Sequence, residues 1–186
     1  VSYAKSVAAM VGGDVTALSI GTVDQDELST LGNYGASLVL SADGTPSGLD
    51  NQVYTAIIAA AMEKCGARVL VMSHNNTGRA LAPRLSVRLK AGLAAGATAV
   101  PESANPLVVR KKVYSGKAFG KVEILTDSAI LTLSQNSFGI QETGGTANVE
   151  SFDPGVDVSA ANTAIKDIQK QEGKLLLTDA DVVISG

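Results

Sequence analysis

His74 is the single histidine and Cys65 the single cysteine among 186 residues. A histidine-ligated metal centre or a Cys–His nucleophile pair would need both rare side chains in one place. The pattern separates them: Cys65 falls in a helical run, where a small buried thiol is expected, and His74 follows the next strand-like run. The lone cysteine excludes an internal disulfide and suits a reducing compartment. The most suggestive local site is Ser73-His-Asn-Asn-Thr-Gly-Arg79, between the carboxyl end of an apolar run and the start of a helix. Ligands of α/β sheets favour that edge, and free amides at a helix N-terminus attract anions. Capping of the helix by Asn76 or Thr77, with His74 in the loop, accounts for the same residues without a ligand.

Other candidates are weaker. Arg79, Arg84, Arg88 and Lys90 lie along the polar side of one helix, and Arg110-Lys111-Lys112 lies in an alternating strand. Such sets form either a solvated face or a partner contact. Asp24 and Asp26 could pair on a metal, but a helix cap explains them more simply. No G-x-x-x-x-G-K-[ST] phosphate loop and no G-x-G-x-x-G occurs, and Gly44-Thr-Pro-Ser-Gly48 puts its serine one place late for a nucleophile elbow. Catalytic chemistry is not expected within these residues, nor is binding of AMP or ATP.

The elements that position these groups follow from composition and periodicity. Hydrophobic residues make up 45% and charged residues 18%, which fits one packed domain rather than a disordered or coiled-coil chain. A net charge of -3 gives no general attraction to nucleic acid or to an anionic membrane. No run of about 18 apolar residues and no signal-like leader is visible, so a cytoplasmic protein without membrane insertion is expected.

Val1 to Gly13 reads as a helix with Ala4, Val7, Ala8 and Val11 on one face and no capping residue before it, so a missing first strand is expected. Val15 to Ile20 reads as a strand, Asp24 as the cap of a short helix, and Ala36 to Leu40 as the next strand. After a loop over Ser41 to Gly48, Ser47 is a cap candidate for a helix ending at Gly66. Ala67 to Met72 is nearly continuous in apolar residues, the pattern of a parallel strand covered on both faces. A further helix carries Leu81, Leu85 and Leu89, with a kink expected at Pro83 and a stop at Gly92. From Leu107 an antiparallel hairpin or meander is expected: Leu107 to Tyr114, Ala118 to Leu125, then Ala129 to Leu133. Asn148 to Phe152 is a short candidate strand, Ser159 to Gln171 is weakly helical, and Ala180 to Ile184 is strand-like before a turn at Ser185-Gly186. These alternations predict an α/β fold: three layers, a mostly parallel sheet flanked by helices, with an antiparallel annex.

Three stretches then point to a family. Asn76-Thr-Gly-Arg-Ala-Leu-Ala-Pro-Arg84, Val113-Tyr-Ser-Gly-Lys-Ala118 and Gly144-Gly-Thr-Ala-Asn-Val-Glu150 resemble the T-x-G-x-x-x-x-P-R helix start, the I-Y-A-G-N-A hairpin and the G-G-S-A-x-V-E loop of the N-terminal domain of the electron transfer flavoprotein alpha subunit, in the same order. The closing Ala180-Asp-Val-Val-Ile-Ser-Gly186 is similar to the opening of that family's V-V-S-G-G-R-G segment. Ser115, Lys117 and Thr146 depart mildly from the pattern. The resemblance covers most of residues 14 to 186. It implies an adenine-nucleotide alpha hydrolase-like scaffold over residues 1–179 and the start of an FAD-binding domain over 180–186, with Ser185 and Gly186 as the first cofactor-binding residues. It also implies a beta-subunit partner that carries AMP, and FAD held only by the intact heterodimer. That complex would carry electrons from dehydrogenases, such as acyl-CoA dehydrogenases, to a quinone reductase or another acceptor, with no enzyme activity in this chain. The alternative is a free-standing adenine-nucleotide-binding domain or ATP pyrophosphatase, whose S-G-G-x-D-S loop is absent.

Overall fold

The computed structural model describes residues 1–43 and 50–157, together with 161, 163, 166–167, 173, 180 and 182–184. Helix α1 (Ser2–Val11) buries Tyr3, Val7 and Ala8 and leads into β1 (Thr16–Ile20). Asp24 caps α2 (Gln25–Ser29) by accepting the Asp26 N–H at 2.9 Å, so the acidic pair is a cap. A 3-10 turn over Thr30–Tyr34 then feeds β2 (Leu38–Ala42). Helix α3 (Asn51–Cys65) is capped by Asp50, whose carboxylate accepts the Gln52 and Val53 N–H groups at 2.8 Å each. The cap is thus Asp50 rather than Ser47, which lies outside the described residues. The Thr163 hydroxyl also donates to Asp50, and this bond, followed by the Val53 amide, holds the carboxyl below its usual 3.8 against the opposing effect of burial. Gly66, in the left-handed region at φ 59, ends the helix as expected.

Strand β3 (Val69–Ser73) is followed by α4 (Asn76–Leu89), which runs as one helix through Pro83. It stops at Lys90, itself left-handed at φ 50. Gly92 is therefore not the helix stop: it opens β4 (Gly92–Ala97), a strand with no clear sequence signal because alanine and glycine are poor strand formers. The short β5 (Ser103–Ala104) precedes β6 (Leu107–Val113) and β7 (Ala118–Ile124), the expected antiparallel hairpin, with Val113 paired to Ala118. Then come β8 (Ala129–Leu133) and β9 (Asn148–Ser151). The expected helix over Ser159 to Gln171 falls mostly outside the described residues. Ala180 and Val182 to Ile184 form no strand, and Ile184 is 94% exposed.

The strands make a mostly parallel α/β arrangement in two parts. One is parallel throughout, in the order β1-β2-β9; the other runs β3-β8-β4-β6-β5, with β7 paired to β6. The meander expected at Ala129 to Leu133 is not there. Instead β8 inserts in parallel between β3 and β4, with Ile130 and Leu131 both fully buried on opposite faces. Its nearly continuous apolar sequence suits a strand covered on both sides. On one face Val69, Val71 and Leu131 pack with Tyr3 and Val7 of α1. On the other, Leu70, Met72 and Ile130 pack with Ile58 of α3 and with Leu81 and Leu85 of α4. Cys65 is exposed at the last turn of α3, not buried as expected, because that turn extends past the core positions Ile58, Ala61 and Met62.

Candidate functional site

The carboxyl edge of the parallel strands gathers most of the candidate chemistry. There β3 passes into α4, and Asn75 rather than Asn76 or Thr77 is the cap: its side-chain oxygen accepts the Gly78 N–H at 2.9 Å. One amide that an anion would use is therefore already taken. His74 lies in the bend between β3 and α4, as expected of a loop residue, and is half-buried. Its backbone N–H donates to Leu133 at 2.8 Å, and its Nδ1 shares a 2.8 Å hydrogen bond with Thr132 Oγ1. Thr132, fully buried, also accepts the Gly96 N–H at 2.9 Å. Gly96 sits at an irregularity in the β4–β8 pairing with φ 79, a backbone state that favours glycine. Sequence reasoning found neither Thr132, which reads as an ordinary strand residue, nor Gly96, whose only signal is an isolated glycine in a run not recognised as a strand.

This setting keeps the imidazole neutral. Burial, then the charges of Arg79 and Lys111, lower the His74 pKa from 6.5. The unfolded chain thus binds the proton more readily than the folded one, so His74 contributes stability in full above about pH 6.5 and loses it as the pH falls. A proton NMR titration of the single imidazole is expected to give a midpoint below 6.5, and His74→Gln to flatten the fall in stability as the pH drops below 6.5. A midpoint at or above 6.5 contradicts the half-buried, cation-flanked setting.

The basic residues do not converge. Arg79, Arg84, Arg88 and Lys90 are all exposed along α4. Arg110 lies over the Phe119 ring, 3.9 Å from its centroid, on the outer face of the β6–β7 hairpin. With Lys112 and Asn136 these two line an open groove of about 300 Å³. Among the described residues no group of three or more His, Cys, Asp or Glu side chains could hold a metal ion. No helix among them is long and apolar enough to cross a membrane.

The three sequence stretches noted above turn out to be structural joints. At Gly78 a Cβ would stand 1.8 Å from the Ser73 carbonyl oxygen, so only glycine lets α4 begin so close to β3. In the hairpin turn Tyr114 and Ser115 both have positive φ, at 51 and 55. The Gly144-Gly-Thr-Ala stretch crosses the 3-10 turn at Gly32, where a Cβ would lie 2.2 Å from Ala147 N, and then becomes β9 beside β2.

A family model described as "Electron transfer flavoprotein domain" matches residues 1–157. The chain belongs to the electron transfer flavoprotein family. It is 30% identical over 186 residues to an "Electron transfer flavoprotein subunit alpha" of Syntrophomonas wolfei, covering 97% of this chain and 58% of that protein. To the protein of the same name in Bacillus subtilis it is 29% identical, with coverage of 94% and 54%. To "Protein FixB" of an Escherichia coli strain it is 31% identical over 157 residues, 81% of this chain and 49% of that one. The chain thus spans about half the length of the curated relatives it matches.

Within this flavoprotein-family domain, Ser185 and Gly186 lie outside the described residues. A flavin joins a large apolar ring system to a charged pyrophosphate, and a ligand of that kind needs an enclosing pocket with several polar anchors. The groove at Phe119 is open, and so is a depression of about 500 Å³ lined by Met62, Gly66 and Arg88. Neither of these two openings encloses a flavin.

Proposed function

We propose that this chain is the N-terminal scaffold of an electron transfer flavoprotein alpha subunit, one half of a heterodimeric carrier that moves electrons from dehydrogenases, such as acyl-CoA dehydrogenases, to a quinone reductase or another acceptor. The observation that carries the reading is the alignment to the Syntrophomonas alpha subunit over 97% of the chain. FAD, when bound, supplies the electron chemistry of the whole complex. The chain's own part is rigid support: the strand framework and its strapped loops present a surface to the beta subunit, and no catalytic residue is assigned. Ser185 and Gly186, following Val182 to Ile184, make the first backbone contacts to FAD, while the remaining flavin contacts lie in sequence beyond residue 186. AMP belongs to the beta subunit. A cytoplasmic location is part of the same reading, because an exposed free thiol such as Cys65 suits a reducing compartment.

The test is spectroscopic. The natural polypeptide that continues past Gly186, co-expressed with its beta subunit, is expected to copurify as a yellow heterodimer with flavin near one equivalent. The 186-residue chain alone is expected to be colourless. Stoichiometric flavin on the short chain overturns the placement of the site, and a colourless long complex that also fails FAD reconstitution overturns the carrier reading.

A further inference from the structure

The open groove of about 300 Å³ lies where β4 and β8 end, between the Thr98-Ala99 turn, the Ser134–Ser137 loop and the outer face of the β6–β7 hairpin. The hairpin register explains why cations gather there. Lys112 is paired directly with Phe119, and Arg110 with Lys121. Opposed residues share a face, as do residues two apart on one strand, so all four side chains stand together. The opposite face of the hairpin packs into the core through Leu107, Val109 and Ile124. Lys121 forms an ion pair with Glu102. Neither Arg110 nor Lys112 has a carboxylate partner among the described residues, and no acidic side chain lines the groove.

Protection of a bare edge does not account for these two charges. Lysines on an edge strand keep other chains from pairing with it, and β7, paired only to β6 among the described strands, has Lys117 beside it and Lys121 within it. β6 is an interior strand, with β7 on one side and β4 and β5 on the other. Arg110 and Lys112 therefore guard no edge. Arg110 is also held in place: its guanidinium lies 3.9 Å from the centre of the Phe119 ring, which is still 53% exposed. Stacking fixes the guanidinium plane and leaves its in-plane N–H groups for a planar acceptor, above all a carboxylate taken in two parallel hydrogen bonds. Asn136, exposed and left-handed at φ 55, adds a side-chain amide at the rim, whereas the Ser137 hydroxyl already donates to the Ser134 carbonyl at 2.6 Å.

The shape of the groove says how a carboxylate arrives. Sites for small molecules enclose most of the ligand, and a free acid in this open groove would stay largely in water, where ion pairs are weak. A carboxylate carried on a protein surface brings its own cover and shields the Arg110–Phe119 stack from solvent. Exposed aromatic and arginine side chains are also the types that interfaces enrich, and Tyr114, 81% exposed, stands at the tip of the same hairpin. Phosphate is served less well, because no glycine lines the groove to bring backbone N–H groups close. Two free cations are likewise few for a nucleic acid, whose binders neutralise many phosphates. The whole chain carries a net charge of -3, so attraction for acidic groups is confined to this face. We propose that the outer face of the β6–β7 hairpin docks an acidic segment of a partner protein, with one aspartate or glutamate carboxylate seated on Arg110 and a second beside Lys112.

This inference rests on the hairpin and not on the flavoprotein reading, and its test needs no flavin. Amide NMR of the chain titrated with a capped hexaglutamate peptide is expected to show saturable shifts confined to Thr98, Arg110 to Lys112, Phe119 and Ser134 to Ser137, with binding that weakens as salt is raised. Arg110→Gln is expected to weaken binding roughly 10-fold and Lys112→Gln roughly 3-fold. Arg88→Gln, which removes an exposed charge from α4, leaves it unchanged. Phe119→Leu keeps an apolar side chain but removes the ring beneath Arg110, and a loss of roughly 3-fold is expected. Absence of saturable binding overturns the inference, as does unchanged binding in Arg110→Gln or a set of shifts that follows every exposed lysine. Glutarate binding as tightly as the peptide would make the groove a site for small acids, and tighter binding of a single-stranded oligonucleotide would make it a site for phosphates. Either result overturns the docking of an acidic protein segment.

Discussion

Gly78→Ala is expected to destabilise the domain by about 3 kcal/mol, at the upper end of what overpacking costs. The cause is steric and has little to do with backbone freedom. The added carbon would stand 1.8 Å from the Ser73 oxygen and 3.1 Å from its carbonyl carbon, and both are main-chain atoms that cannot rotate away. Relief requires α4 to lift off the end of β3. That movement stretches the Asn75 cap on the Gly78 N–H and loosens Leu81 and Leu85, which are 1% and 0% exposed beneath the helix. Thermal unfolding should shift down by roughly 6–12 °C for a chain of this size. Gly139→Ala is the control: no atom lies within 4 Å of its added carbon, and a change within about 0.5 kcal/mol is expected. If Gly78→Ala unfolds with the control, the tight joint between β3 and α4 is not what the residue provides.

Gly32→Ala is expected to cost a similar amount, about 3 kcal/mol, with a different local signature. Its new carbon would meet Ala147 N and the Thr146 carbonyl carbon at 2.2 Å each. The strand-forming stretch must then move off the 3-10 turn, breaking the bond from the Ala147 N–H to the Ser29 carbonyl at 3.0 Å. Ala147 would leave its cluster with Leu28 and Val39, and β9 would lose its register beside β2. Exchange of the β9 amides, Asn148 to Ser151, should accelerate before the rest of the domain responds, whereas Gly78→Ala should act first on α4. Unchanged protection of β9 in a folded Gly32→Ala protein would show that the loop does not depend on this close approach.

Much of the architecture was legible one element at a time. The faces of α1 and α4, the Asp24 cap, the Gly66 stop and the β6–β7 hairpin all rest on residues within a few positions of one another, where helix periodicity, capping and turn chemistry act. The flavoprotein resemblance was legible in the same way, because its motifs are joints whose glycines are fixed locally, Gly78 by close approach and Gly116, Gly144 and Gly145 by positive φ. What the sequence alone determined is therefore the order and type of most elements, and the family they belong to.

Only the tertiary structure decided who neighbours whom. Nothing local distinguishes β8 as a central parallel strand from a meander strand, because the choice depends on Val69 meeting Ala129 and Gly92 meeting the same residue from the other side. β4 was missed because its alanines are strand-like only when the core of α1 and α4 closes over them. His74 read as a loop residue with no partner of its own until Thr132, 58 residues away, took its Nδ1, and Cys65 looked buried until the last turn of α3 proved to overrun the core. Propensity and capping are energies of neighbouring residues along the chain, whereas burial and ladder pairing are energies of residues brought together from far apart, and those are fixed only when the whole sheet is assembled.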